Sequence, residues 1–114
     1  MTRFGVRAHY WGALLVVVPI GDIDVGAADE LASGLATLSL TTDLMIDLVD
    51  VTSLDAAGVA ALVTAKRSAE KDGWGFALVA NPDGPCTEAI RAAGQMDTLK
   101  PFPDRHAARA ALQA

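Results

Sequence analysis

Two nearly unbroken aliphatic stretches, residues 14–18 (Leu-Leu-Val-Val-Val) and 44–49 (Leu-Met-Ile-Asp-Leu-Val), flank an alanine-rich segment with a different rhythm. Apolar runs of this length suit strands covered on both faces. Between them, Ala28, Leu31, Ala32, Leu35 and Leu38 recur at three- and four-residue spacing, one apolar stripe of a helix over 26–38. A strand, a crossover helix and a second strand imply parallel neighbours joined by a right-handed connection. The fold class is therefore α/β.

The remaining segments extend this unit within one domain over residues 1–114. Phe4, Val6, Ala8 and Tyr10 alternate with Gly5, Arg7 and His9, which predicts a half-buried strand, paired as a hairpin through Trp11-Gly12 with the 14–18 strand. Pro19 has no amide donor and is expected to end that ladder, leaving 20–24 as loop or short strand. Beyond the connection at 50–55, a helix is predicted from Ala56 to Asp72, with Gly73 as its stop. A short strand at 76–80, a turn at 81–84 and a helix from Pro85 to Ala93 follow. Residues 99–102 read as a proline-interrupted edge strand, and Asp104 as the cap of a last helix through Leu112.

Fourteen acidic against nine basic residues give a net charge of −5, which works against binding to phosphate backbones or anionic lipid. No nucleic-acid partner and no membrane insertion are expected, since no apolar run approaches the about 20 residues of a span. Residues 1–5 include Arg3 but lead into no apolar core of a secretory leader. The single cysteine, Cys86, excludes an intrachain disulfide, and a cytoplasmic location is expected.

Little in the chain suggests catalysis. His9 and His106 have no nucleophile at a spacing that would make a triad, and no glycine string has the pattern of a phosphate cradle. Cys86 falls at a helix start, where it reads as a dipole-favoured thiolate or as a small buried filler. Trp11 and Trp74 read as exposed anchors or as covers over the core's edges. Asp22, Asp24, Asp47, Asp50 and Asp55 lack the dense spacing of a cation loop and fit solvated or capping roles better. No metal and no cofactor are expected. The segment Asp55-Ala56-Ala57-Gly58 stands out, because a helix start presents free amides and its small side chains admit close approach by another protein. On spacing alone it reads more readily as an N-cap followed by residues packed beneath a crossover.

Three strings together resemble STAS domains of the anti-sigma-factor antagonist type. Gly21-Asp22-Ile23-Asp24 is similar to the family's G-x-L-D, and Met45-Ile46-Asp47-Leu48 to its internal strand. Val51-Thr52-Ser53-Leu54-Asp55-Ala56-Ala57-Gly58-Val59-Ala60-Ala61-Leu62 is similar to its D-L-S…D-S-S-G…L signature. The resemblance spans nearly the whole chain. It implies a four- to five-stranded mixed sheet with about four helices packed mainly on one side. It further implies binding to an anti-sigma factor of the serine-kinase type, which releases a sigma factor. Partner contacts would then fall on Asp22, Asp24, Asp55, Ala56, Ala57, Gly58 and Val59. Phosphorylation of the second serine of D-S-S-G reverses such binding, but that position matches Ala57, which has no hydroxyl to accept phosphate. Thr52 and Ser53 are the nearby hydroxyls, several residues upstream. The alternative role is that of a STAS subunit in a lipid-transport ABC system, docked on the transporter's ATPase. An enzyme and a nucleotide-binding protein without turnover are weaker readings.

Overall fold

The computed structural model describes residues 4–38 and 42–113, with side chains at 36–38 left aside. Arg3, the side chain of Leu38 and Thr41 therefore lie outside the described residues. Strand β1 (Gly5–Trp11) turns at Gly12, whose φ of 64° lies in the left-handed region, into β2 (Leu14–Ile23). The hairpin is antiparallel, from Gly5 opposite Ile20 to Trp11 opposite Leu14. Contrary to expectation, β2 runs through Pro19 and four residues further. The amides of Leu15 and Gly21 donate to the carbonyls of Asp43 and Asp50, so odd-numbered residues of β2 face away from β1. The missing N–H of Pro19 thus points into the gap between two successive partners, where no ladder bond is lost.

Those partners are β3 (Leu44–Asp47) and β4 (Val51–Leu54), both parallel to β2. The apolar run at 44–49 is shorter as a strand than predicted. Val49 N–H donates to Asp47 Oδ1 at 3.0 Å and Val51 N–H to Leu48 O at 3.0 Å, a turn that lifts the chain out of register. The chain then re-enters the sheet as β4 against the end of β2, where a plain connection was expected. Strand β5 (Phe76–Val79) pairs with β3, so the order is β1-β2-β3-β5, with β4 beside the far end of β2.

Among the described residues five helices cover the sheet: α1 (Val25–Leu38), α2 (Ala56–Lys71), α3 (Pro85–Ala92), α4 (Met96–Leu99) and α5 (Arg105–Gln113). Odd residues of β2, such as Leu15 and Val17, join Leu44, Ile46 and Leu78 beneath the first four helices. There they meet Leu31, Leu35, Leu62 and Ile90, each contributing about 1.5–3 kcal/mol by leaving water. Leu14, Val16 and Val18 face the other way, onto Met45, Val79 and Ala108 of α5. The helices thus lie mainly on one side, as expected. The short α4 was not foreseen; it ends at Lys100, whose φ is 45°. The edge strand expected at 99–102 is reduced to one parallel bridge, Phe102 to Val79. Strand β1 is also more exposed than its alternation suggested, with Val6 43% and Tyr10 67% exposed, because α1 lies over β2 rather than over this edge.

Candidate functional site

The pairing of β4 with the end of β2 brings the two predicted segments together. Gly21, Asp22 and Ile23 pair with Val51, Ser53 and Leu54, and Asp55 N–H donates to Ile23 O at 3.2 Å. The strands feed adjacent helix starts. Asp24 caps α1, its Oδ1 accepting from Ala27 N–H at 2.9 Å, and Asp55 caps α2, its Oδ1 accepting from Gly58 N–H at 3.0 Å. Both carboxylates also stand where the helix dipoles favour negative charge. The N-cap reading of Asp55 is therefore correct.

Asp22 lies where the end of β2 pairs with β4, opposite Ser53 and two residues before the Asp24 cap. Its Oδ1 accepts from Thr52 Oγ1 at 2.5 Å and Ser53 Oγ at 2.9 Å. These two hydroxyls, Thr52's first, hold the carboxyl below its ordinary value. Ala56 is exposed and Ala57 half-buried, whereas Gly58 and Val59 are buried, the latter only 1% exposed. The last two therefore shape the site from beneath. A Cβ at Gly58 would come within 2.4 Å of Leu54 Cδ1 and 2.9 Å of Ile23 Cγ2, so the first turn of α2 sits directly on the strand ends.

Asp22, Asp24 and Asp55 supply carboxylates at these strand ends and helix starts, and Val25, the first residue of α1, is 64% exposed, whereas Asp50 stands at the opposite end of β4 with its carboxylate 3.8 Å from Arg7 Nη2. Sequence reasoning missed Val25, because a valine on the first turn of an amphipathic helix carries no signal of its exposure. The arrangement offers small side chains, helix amides and fixed carboxylates, groups that a protein partner can contact.

The other candidates belong elsewhere. Asp47 is neither solvated nor a helix cap. Its buried carboxylate accepts from Arg105 Nε at 2.6 Å, and Arg105 Nη1 lies 3.2 Å from His9 Nε2. Cys86 is a buried filler, and burial pushes its thiol up to about 11, against the thiolate. Trp11 packs edge-on against His106 and carries the Arg109 guanidinium 4.3 Å above its ring. Trp74 is half-buried beside Leu14 and Leu112. No group of three or more metal-binding side chains exists among the described residues.

Three solved structures have this arrangement of strands and helices. An anti-sigma factor antagonist from Mycobacterium paratuberculosis superposes with a TM-score of 0.87 at 23% identity, over 98% of this chain and 96% of that one. The anti-sigma factor antagonist SpoIIAA in its unphosphorylated form gives 0.75 at 14% identity, over 96% and 98%. A STAS domain antagonist from Rhodobacter sphaeroides gives 0.59 at 18%, over 75% and 90%. No curated protein sequence matches the chain significantly. The STAS domain family, however, matches residues 8–108, nearly the whole of the strand and helix arrangement described above. The chain belongs to the STAS domain family.

Proposed function

We propose that this protein is a non-catalytic docking module that binds an anti-sigma factor through the paired starts of α1 and α2. In this reading it is not switched off by phosphate at the family's usual position. The observation that carries the reading is the uncharged first turn of α2, where Ala56 and Ala57 stand at the mouth of a 16-residue helix seated by Gly58. A partner can approach the backbone closely there, and Ala57 offers no hydroxyl through which about −2 of charge could be added.

Thr52 and Ser53 do not replace it in this reading. Both hydroxyls are already donated to Asp22, and a phosphate on either would be forced against that carboxylate. Anti-sigma factor antagonists among the structural neighbours support the choice of partner. The serine-kinase character of that partner rests on the family resemblance alone. No feature of the structure favours a transporter ATPase instead.

The test is affinity purification with mass spectrometry, using wild type, Ala57→Asp and Ala57→Ser side by side, followed by calorimetry with the recovered protein. An aspartate at the second position of α2 is favoured by the helix dipole, so this variant should stay folded, which thermal melting will verify. Wild type and Ala57→Ser should capture an anti-sigma factor, and Ala57→Asp should bind it at least about tenfold more weakly, or about 1.4 kcal/mol. Equal binding by all three would move the interface elsewhere. Capture of an unrelated ATPase would refute the functional reading.

A further inference from the structure

We propose that a second copy of this chain docks along the outer edge of β1, joining two five-stranded sheets across a two-fold axis. The argument begins with the direction of the backbone groups. Gly5, Arg7, His9 and Trp11 face the even residues of β2 in the ladder, so the N–H and C=O groups of Val6, Ala8 and Tyr10 point outward. Among the described residues no strand lies beyond them. The edge is seven residues long and has no proline, lysine or bulge; its one charged side chain, Arg7, is directed to Asp50 at 3.8 Å.

The strand is also complementary to itself. Antiparallel pairing about Ala8 sets Ala8 opposite Ala8 and Val6 opposite Tyr10, so the outward groups exchange about six hydrogen bonds. The same register places Trp11, packed against His106 and Arg109 of its own chain, opposite Gly5, which has no side chain to obstruct it, and Arg7 opposite His9. Centring the pair on Arg7 would instead put two guanidinium groups face to face, a destabilising like-charge pair.

A cavity beside the edge completes the fit. Between β1 and α1 lies a pocket of about 300 Å³ lined mainly by Phe4, Val6, Val17, Leu31 and Leu35, with the exposed Glu30 also in its wall. Val6 and Tyr10 share the sheet face of Val17, the face that this pocket opens onto. With Tyr10 of the second copy opposite Val6, its exposed ring stands at the pocket mouth, and the two-fold axis repeats the insertion in the other subunit. A seven-residue strand pair with two inserted rings is a small interface, so the dimer forms and dissociates with concentration.

Sedimentation velocity from about 10 µM to about 1 mM should show a concentration-dependent dimer. Amide exchange should slow at Val6, Ala8 and Tyr10 as concentration rises, but not at Arg7 and His9, which are already bonded to β2. Ala8→Pro removes an outward amide that β2 does not use, and Val6→Lys puts a charge at the pocket mouth. Each should weaken association at least about tenfold. The exchange measurement and Val6→Lys do not depend on the proline variant folding. A chain that stays monomeric to about 1 mM, or a dimer that survives either substitution, overturns the proposal.

Discussion

Replacing Arg105 with alanine tests how the two faces of the sheet are tied together. Arg105 opens α5 on one face, and Asp47 ends β3 just before the turn that sends the chain into β4 and the candidate site. The Asp47 side chain is 4% exposed and Arg105 34% exposed. Removing the guanidinium leaves a buried carboxylate with a single backbone donor, Val49 N–H. Breaking a fully buried pair costs about 3–5 kcal/mol. Because water reaches a third of Arg105, the cost falls at or below the bottom of that range, about 2–3 kcal/mol, or a fall in Tm of roughly 10–20 °C for a domain of this size. Urea unfolding of Arg105→Ala, Asp47→Asn and the double variant measures the coupling directly. In the double variant no buried charge is left unpaired, so the two losses should fall short of additive by at least about 1 kcal/mol. Additive losses, or a single loss below about 0.5 kcal/mol, would show that the pair ties nothing together.

Three further outcomes follow from the same geometry. Gly58→Ala should destabilise the fold by about 1 kcal/mol in urea unfolding, because overpacking against Leu54 and Ile23 exceeds the helix propensity gained; a neutral or stabilised variant would refute the seating of α2. The Cys86 thiol is held neutral by burial, so between its unfolded value near 9.0 and its folded value of about 11 only the unfolded chain ionises. Stability should therefore fall more steeply over that range in wild type than in Cys86→Ala, as melting curves at stepped pH will show. The Asp22 carboxyl should titrate below 3.8 by carbon-13 NMR. Its stabilising contribution, present above that value, should disappear as pH falls through the lowered one, and Thr52→Val should move the midpoint upward.

The parts of the fold legible in the sequence were those with a one-dimensional signature. The apolar runs in β2 and β3, the stripe of α1 and the glycine and proline punctuation of α2 and α3 all express a period or a stop that needs no knowledge of neighbours. Strand β4 had no such signature. Val51 and Leu54 are buried while Thr52 and Ser53 are exposed, a pattern neither alternating nor continuous. Its strand character comes from the end of β2, which Pro19 disguised. The ion pair of Asp47 with Arg105 was equally silent, because its partners are fifty-eight residues apart and no local pattern joins them.

The candidate site shows the same division in a way that bears on function. Asp24 and Asp55 were conspicuous as acidic residues, yet their side chains are occupied in capping helices, so their first effect is to fix where the two helix starts stand. The surface that the proposed docking would use consists of what the sequence makes least conspicuous: alanine methyls, helix amides and an exposed valine. Such a surface has no strong chemistry of its own, and in the proposed docking its selectivity would come from shape and from the carboxylates of Asp22, Asp24 and Asp55. A single added charge at its centre is therefore a large perturbation, whereas an added hydroxyl is a small one. If docking uses this surface as proposed, Ala57 has no hydroxyl through which phosphorylation could add that charge at its position, and control over binding would come from the partner, from concentration or from another site on the domain.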